Sequence, residues 1–570
     1  MDQKIKRLLI VSGISLLPLF TATVNAAITD PGNGNPLAPG FFADPFVFYD
    51  SSTIYLYPTT DGYDDGTFMY FGPFGVWHST DFVNWTFKTL VYPADFPYND
   101  SRLWAPSVTK GANGTYFMYY IRSGDSCYIV SSASALGPWA NVKNGRRIST
   151  PHMFDTDVFK DDDGSYYVVF QQHIGSNFSI AMARLASTMD TITGAITTLY
   201  SSGTALAEGA TIFKRNSVYY LTFSQGSLSS SYHVVYGYCR TAITGPYTIG
   251  GTILQSNSGE NIVATGHNSV LKIDTNYYIV YHRWRYPTTN TRVFRQPCAD
   301  RLNFNTDGTI PAITPTNTGV GALGPVSITD SNVARGKSAT ASSQQSADYS
   351  AARAIDENNA TLWRASSTSY PQSLTIDLGR SYSISRVETC FEFPTEYYRY
   401  VMATSIDNAV WTTYADRSAS TLRVSPVIDT GNATARYIRI TIQSSSLQTN
   451  PVFHGTPAAG IWEVKVRKNS QAGLRLPGKE RNSGVNFLRV INIPQGKLRF
   501  EWHCESRAAA TLVIYNVQGK RVRLFPAQSS GNFLVWDGTD QSGRRLGEGV
   551  YQVTVESGKS QFTVSVVYVR

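Results

Sequence analysis

Cysteine is scarce in this chain. Cys127, Cys239, Cys298, Cys390 and Cys504 are the five in 570 residues, widely separated and without a C-x-x-C pair. That excludes a dense disulfide framework and a cysteine zinc site, and leaves buried free thiols with at most one bridge. Long apolar runs are also missing except at the very start, so no membrane-spanning helix is expected. Beyond that start no stretch of any length shows a helical period, so the mature chain is expected to be all-β. The charge of +8 is carried unevenly: from Arg467 to Arg570 there are 16 Lys/Arg against 7 Asp/Glu, and the remainder is close to neutral. No nucleic-acid motif accompanies this basic tail, which reads as a solvated face. The length exceeds what one core supports and predicts several domains.

The first 26 residues read as a secretory signal peptide. Lys4, Lys6 and Arg7 precede an apolar core from Leu8 to Phe20, and Val24-Asn25-Ala26 forms a small-residue cleavage site. No cysteine follows that site, which argues against a lipoprotein. The expected location is secreted, extracellular or on a bacterial cell surface.

A repeat dominates residues 27–325. ADPFVFYDSSTIYLY, APSVTKGANGTYFMYY, FDTDVFKDDDGSYYVVF, EGATIFKRNSVYYLTF and HNSVLKIDTNYYIVY each pair two strand-like runs across a turn. They recur at intervals of 50–61 residues. Five repeats of short strands at such spacing predict a five-bladed β-propeller. Aligned on Val47, Val108, Val158, Thr211 and Val270, one column reads Asp44, Ala105, Asp155, Glu208 and His267. The first strand of each blade lines the axis, so this column is expected to converge on one funnel.

Three acids meeting there would spread their pKa values, leaving one protonated and one ionised near neutrality. Glycosidic hydrolysis needs that pair: an acid for the leaving oxygen and a carboxylate to activate water. A single such acid is more often a turn or salt-bridge residue, and three in register are not. Asp157, two positions after Asp155, is the second candidate for its place. Asp161, Asp162 and Asp163 read as exposed turn residues. His267 is expected to order a water or hold a metal at the axis. Phe46 and Trp104 are expected to stack on a sugar face, while most other aromatics pack the blades.

From Val326 the chain changes to short alternating strands with Asp/Asn/Gly/Ser turns. Residues 326–468 read as a β-sandwich and 469–570 as a small Ig-like β-sandwich.

At these residues the chain resembles glycoside hydrolase family 43, over residues 41 to about 324. ADPFVFYD, LWAP, FDTDVFKDDDG, AEGATIFKRNSVYYL and TGHNSV match its five blade motifs in order. The resemblance implies a secreted five-bladed propeller that hydrolyses plant polysaccharides with inversion. It implies Asp44 as general base, Asp155 as the residue that tunes and orients the acid, Glu208 as general acid and Arg295 as a substrate-binding arginine. It also implies a calcium or water beside His267. Thr156 stands where the family often has proline. Residues 326–468 resemble the discoidin, or coagulation-factor 5/8 type C, domain, also used for carbohydrate binding. Within it AIDENNATLW resembles a structural calcium loop with Asp356, Asn359, Thr361 and Glu463 as ligands. The last domain is similar to flagellar-hook-capping Ig-like repeats and to sorting domains of type IX secretion, which would make that machinery a partner. The function implied is a monomeric α-L-arabinofuranosidase acting on terminal side chains, without an organic cofactor. β-Xylosidase, endo-arabinanase and exo-β-1,3-galactanase are the alternatives within the family, and a non-catalytic glycan-binding surface protein is the alternative outside it.

Overall fold

In the computed structural model of the chain, the described residues are 34–468, apart from 64–71, 92–102, 123–125, 142–147, 149–152, 286–293, 325–331 and 451–452, together with the strands and some of the turns of 487–568. The leader-like residues 1–26 and Cys504 lie outside them. The other four cysteines are buried free thiols. Among the described residues, helix is limited to short 3-10 turns, and no helix is long and apolar enough to cross a membrane. The chain forms two compact units, residues 1–470 and 471–570.

The propeller opens the first unit. Its blades are antiparallel sheets whose innermost strands are Phe42–Asp50, Leu103–Lys110, Phe154–Lys160, Ala207–Arg215 and Gly266–Ile273. Each innermost strand lies against that of the next blade, and the fifth against the first, which closes the ring. The N-terminal segment seals the join: the Leu37 amide donates to Pro297 O at 2.8 Å and the Asn35 amide to Asn317 O at 2.8 Å. Blades 1 and 2, and blades 3 and 4, are clasped at the turn after the innermost strand by a lysine and a tyrosine reaching one aspartate. Lys110 and the Tyr116 hydroxyl meet Asp50 at 2.9 and 2.6 Å, and Lys214 and the Tyr219 hydroxyl meet Asp161 at 2.8 and 2.7 Å. Asp161 is therefore half-buried and paired across blades, unlike the exposed turn residue expected; Asp162 and Asp163 are exposed.

The sandwich is built on two long bent strands, Gln372–Phe391 and Val427–Ser445. Register shifts between Asp377 and Tyr382 and between Ile384 and Arg386 interrupt their ladder. Period-two alternation puts Leu374, Ile376 and Leu378 of one strand and Ile438, Ile440 and Ile442 of the other into one core with Trp462.

Sandwich and propeller share structure. Val424–Ser425 of the sandwich adds a fifth strand to blade 1 by pairing with Thr86–Val91. Phe41 of the propeller sits in the sandwich core, its ring 5.0 Å from Trp462 and 4.9 Å from Phe294. The buried Tyr63 hydroxyl bonds Thr395 and Glu396. The second unit holds two sheets of three and four strands around Phe500, Ile514, Trp536 and Val553.

Candidate active site

The geometry of the site begins with a defect in each innermost strand. In all five blades the ladder to the second strand slips: between Ala43 and Phe46, Trp104 and Ser107, Asp157 and Phe154, Glu208 and Thr211, and Gly266 and Ser269. At each bulge one residue takes a left-handed backbone: Asp44 (φ 46), Ala105 (φ 48), Asp155 (φ 48), Gly209 (φ 58) and His267 (φ 44). A non-glycine residue pays roughly 1–2 kcal/mol for that conformation. Bulges of this kind re-aim a side chain, and here they turn Asp44, Asp155 and His267 toward the axis.

This corrects the column read from the sequence. Its fourth member is Gly209; Glu208 stands one residue earlier, in register with Ala43, Trp104, Phe154 and Gly266. Anchoring the fourth repeat on Thr211 instead of Ile212 caused the slip. Gly209 has a physical reason to lack a side chain: a Cβ there would lie 2.9 Å from the His267 ring.

The acids nevertheless meet. Asp44 Oδ1 lies 2.8 Å from Arg295 Nη1, 3.3 Å from His267 Nδ1 and 3.3 Å from His282 Nδ1. Burial pushes the Asp44 carboxyl up, but the Arg295 guanidinium outweighs it and holds the group well below the usual carboxylate range. His282 Nδ1 accepts the Asp44 main-chain N–H at 3.2 Å, so its own proton is on Nε2. Burial pushes its pKa down to about 4, and burial likewise keeps His267 neutral.

Arg295 opens the third strand of blade 5 and is fixed by Asp61, at the end of the second strand of blade 1. Asp61 accepts from Arg295 Nε at 2.9 Å, from Nη2 at 3.1 Å and from the main-chain N–H at 3.0 Å. That leaves Nη1 for Asp44.

Glu208 and Asp155 have the opposite character. Burial raises Glu208 to about 7, with the Asp44 charge adding to it against a 2.8 Å hydrogen bond from the Tyr232 hydroxyl. Burial and then Glu208 itself push Asp155 well above its ordinary value, against a hydrogen bond from the Gly209 amide. Two buried carboxyls so placed do not both ionise near neutrality. Asp157 does not join them: it is hydrogen-bonded by Thr211 of the next blade and by the Val158 amide, which makes it an inter-blade strap.

Below the acids the triplets 44–46, 105–107, 155–157, 209–211 and 267–269 enclose an axial cavity of about 20 Å³. Asp155 Oδ1, Ser107 Oγ and Asn268 Oδ1 in its walls are buried without hydrogen-bond partners. One water fits that space and those partners. Calcium fits poorly, because it takes six to eight oxygens and His267 offers nitrogen while Arg295 already neutralises Asp44. Phe46 borders this cavity and packs into the core between blades 1 and 2. Trp104 is half-buried, its ring 6.0 Å from that of Phe154.

The second expected metal position is the 356–361 loop of the sandwich. Asp356 accepts from Thr361 Oγ1 at 2.8 Å, and Glu463 Oε2 from the Glu357 amide at 2.9 Å. Glu463 Oε1 is buried and unpartnered, close to the charges of Asp356 and Glu357. Crowded acids with a spare oxygen fit a hard cation. The Asn359 amide nitrogen is engaged elsewhere, 3.2 Å from Pro36 O and 3.2 Å from Leu37 O. Among the described residues no three His, Cys, Asp or Glu side chains converge as a ligand cluster.

Sequence reasoning missed Asp61, Tyr232 and His282. Asp61 precedes a glycine and reads as a turn; Tyr232 ends a serine run and His282 lies inside an aromatic strand, so neither carries a signal.

Residues 33–310 match the model of Glycosyl hydrolases family 43, residues 338–454 that of the F5/8 type C domain and residues 490–561 that of the FlgD Ig-like domain. The chain is 32% identical over 308 residues to the β-D-galactofuranosidase of Aspergillus niger, covering 50% of this chain and 86% of that protein. It is 26% identical to an arabinoxylan arabinofuranohydrolase of Paenibacillus polymyxa, covering 51% of this chain and 53% of that one. It is also 26% identical to the arabinoxylan arabinofuranohydrolase of Bacillus subtilis, over 55% of this chain and 70% of that one. A solved glycoside hydrolase superposes with a TM-score of 0.66 at 28% identity, over 77% of this chain and all of its own length, an extent greater than the propeller alone. With its bulged acids gathered at the propeller axis and these relatives, the chain belongs to family 43 of the glycosyl hydrolases.

Proposed function

We propose that the protein is a secreted, inverting exo-glycosidase that removes terminal α-L-arabinofuranosyl units from plant cell-wall polysaccharides. One observation carries the reaction: in one buried cluster Asp44 lies 2.8 Å from the Arg295 guanidinium, which favours its ionised form, whereas Glu208 has only the Tyr232 hydroxyl at 2.8 Å, and burial raises it to about 7. Glu208 gives its proton to the glycosidic oxygen as the bond to the anomeric carbon breaks. Asp44 takes a proton from the water attacking the opposite face. Arg295 keeps Asp44 charged, and Asp155, its carboxyl pushed up by burial and by Glu208, tunes and orients the acid. Tyr232 and Asp61 position acid and arginine.

The sugar assignment is supported by the names of relatives. Those from Aspergillus niger, Paenibacillus polymyxa and Bacillus subtilis are all named for furanosides. α-L-Arabinofuranose and β-D-galactofuranose share a ring configuration and differ in the exocyclic arm. The sandwich as a glycan-binding module and residues 469–570 as a sorting or attachment domain belong to the same proposal. The test is a panel of aryl α-L-arabinofuranoside, β-D-galactofuranoside and β-D-xyloside, with the anomer first released followed by NMR. Turnover highest on the arabinofuranoside with inverted product is expected, and Glu208→Gln and Asp44→Asn should each lower kcat by about 10³-fold or more. Unchanged turnover in both variants, or a retained anomer, defeats the proposal.

A further inference from the structure

In each blade one second-strand residue lies opposite the residue that precedes the bulge. These are Thr59 opposite Ala43, Ile121 opposite Trp104, Gln171 opposite Phe154, Ser224 opposite Glu208 and His282 opposite Gly266. Three of them share one role: each reaches into the next blade and accepts the main-chain N–H of its left-handed residue. Thr59 Oγ1 accepts from Ala105 at 2.7 Å, Ser224 Oγ from His267 at 2.7 Å and His282 Nδ1 from Asp44 at 3.2 Å. Ile121 is apolar and needs no partner. Gln171 is the exception. It is 1% exposed, and its Oε1 is buried with no hydrogen-bond partner.

The strand itself says where that side chain points. Val169, two residues earlier, and Ile180, opposite Gln171 in the ladder, both belong to the core between blades 3 and 4. Period-two alternation sends Gln171 to the same side. In that core Ala207 and Ala210 bracket Glu208 and Gly209. Gln171 therefore stands on the wall shared by the blades that carry Asp155 and Glu208. A buried amide oxygen without a donor is destabilising, and the three equivalents show that this fold can satisfy the position from within the chain. A site built to bind a sugar hydroxyl leaves such an acceptor open for it. We propose that Gln171 is a specificity-determining residue of the glycone subsite, its Oε1 accepting a hydrogen bond from one hydroxyl of the sugar held between Asp44 and Glu208. The inference rests on the reading of those two acids as base and acid.

Monodeoxy substrates test it. Gln171→Met keeps the length of the side chain and removes the amide. On the aryl glycoside that wild type turns over fastest, its kcat/KM is expected to fall about 10- to 100-fold, the scale of one lost hydrogen bond that leaves its partner unpaired. Among the monodeoxy forms of that glycoside, one should lose a similar factor with wild type. On that form Gln171→Met should stay within about threefold of wild type. The free variant should melt no lower than wild type, because an unpaired buried oxygen is gone. Wild-type kcat/KM in the variant, the result if the oxygen serves a water alone, overturns the proposal. So does an equal loss on every deoxy form, or a melting temperature several degrees below wild type. Glu208→Gln separates the two failures. If it keeps turnover of an unactivated glycoside, the acid reading is wrong and this inference falls with it. If it loses that substrate while Gln171→Met does not, only the role of Gln171 is wrong.

Discussion

Glu208 and Asp44 are both buried carboxyls, and only their neighbours make them different. Asp44 has a guanidinium at 2.8 Å and two imidazoles at 3.3 Å, whereas Glu208 has a hydroxyl donor and no cation in contact. The difference reaches stability. Burial raises Glu208 from an ordinary 4.5 to about 7, so between those pH values the folded chain holds a proton that the unfolded chain releases. Stability then falls as pH rises through that window, on the order of 3 kcal/mol once pH exceeds 7. Glu208→Gln cannot ionise, so it should melt several degrees above wild type at pH 7–8 and no higher below pH 4.5. Calorimetry across pH checks this; a variant less stable than wild type at pH 8 contradicts it. Asp44 runs the other way. Its lowered pKa favours the fold above about pH 4, and that contribution is lost on acidification.

At the scale of the element, the active site is a set of bulges. An unbroken innermost strand would send alternate side chains into the blade packing on either side. One left-handed residue per blade turns Asp44, Asp155 and His267 to the axis instead, and the fourth blade spends that position on Gly209 so that His267 can pack against it. Glu208 reaches the same cluster from one register position earlier, where its partner strand supplies Ser224. The 356–361 loop is the other element with a specific expectation. We propose that calcium there neutralises Asp356 and Glu463 as a structural ion, with no part in the chemistry. Chelation should lower the melting temperature of wild type by a few degrees and leave Glu463→Gln unaffected. A chelator effect of equal size in both removes the ion from this loop.

At the scale of the whole molecule, the sandwich is structurally part of the enzyme. It supplies a strand to blade 1, encloses Phe41, and grips Tyr63 two residues from the aspartate that fixes Arg295. A chain ending at residue 325 would expose those rings and the edge strand Thr86–Val91, an invitation to aggregation. It should be insoluble or inactive, whereas a chain ending at Ser470, the limit of the first compact unit, should keep wild-type kcat/KM. A soluble, fully active propeller fragment would show that the interface is dispensable.

The amino-acid order alone determined the β-class, the five repeats and the acids worth asking about. Strand periodicity, turn residues and recurrence at 50–61 residues are local or one-dimensional signals. The true register of Glu208, the roles of Asp61, Tyr232 and His282, and the union of sandwich with propeller were decided only by the tertiary structure. A bulge shifts side chains by one position without changing the apolar pattern that anchors an alignment, so Thr211 and Ile212 served equally well on paper. Which carboxyl keeps its proton depends on the blade 5 guanidinium that packing brings to 2.8 Å from Asp44 of blade 1 and on the burial of Glu208 in blade 4, and no spacing along the chain encodes either.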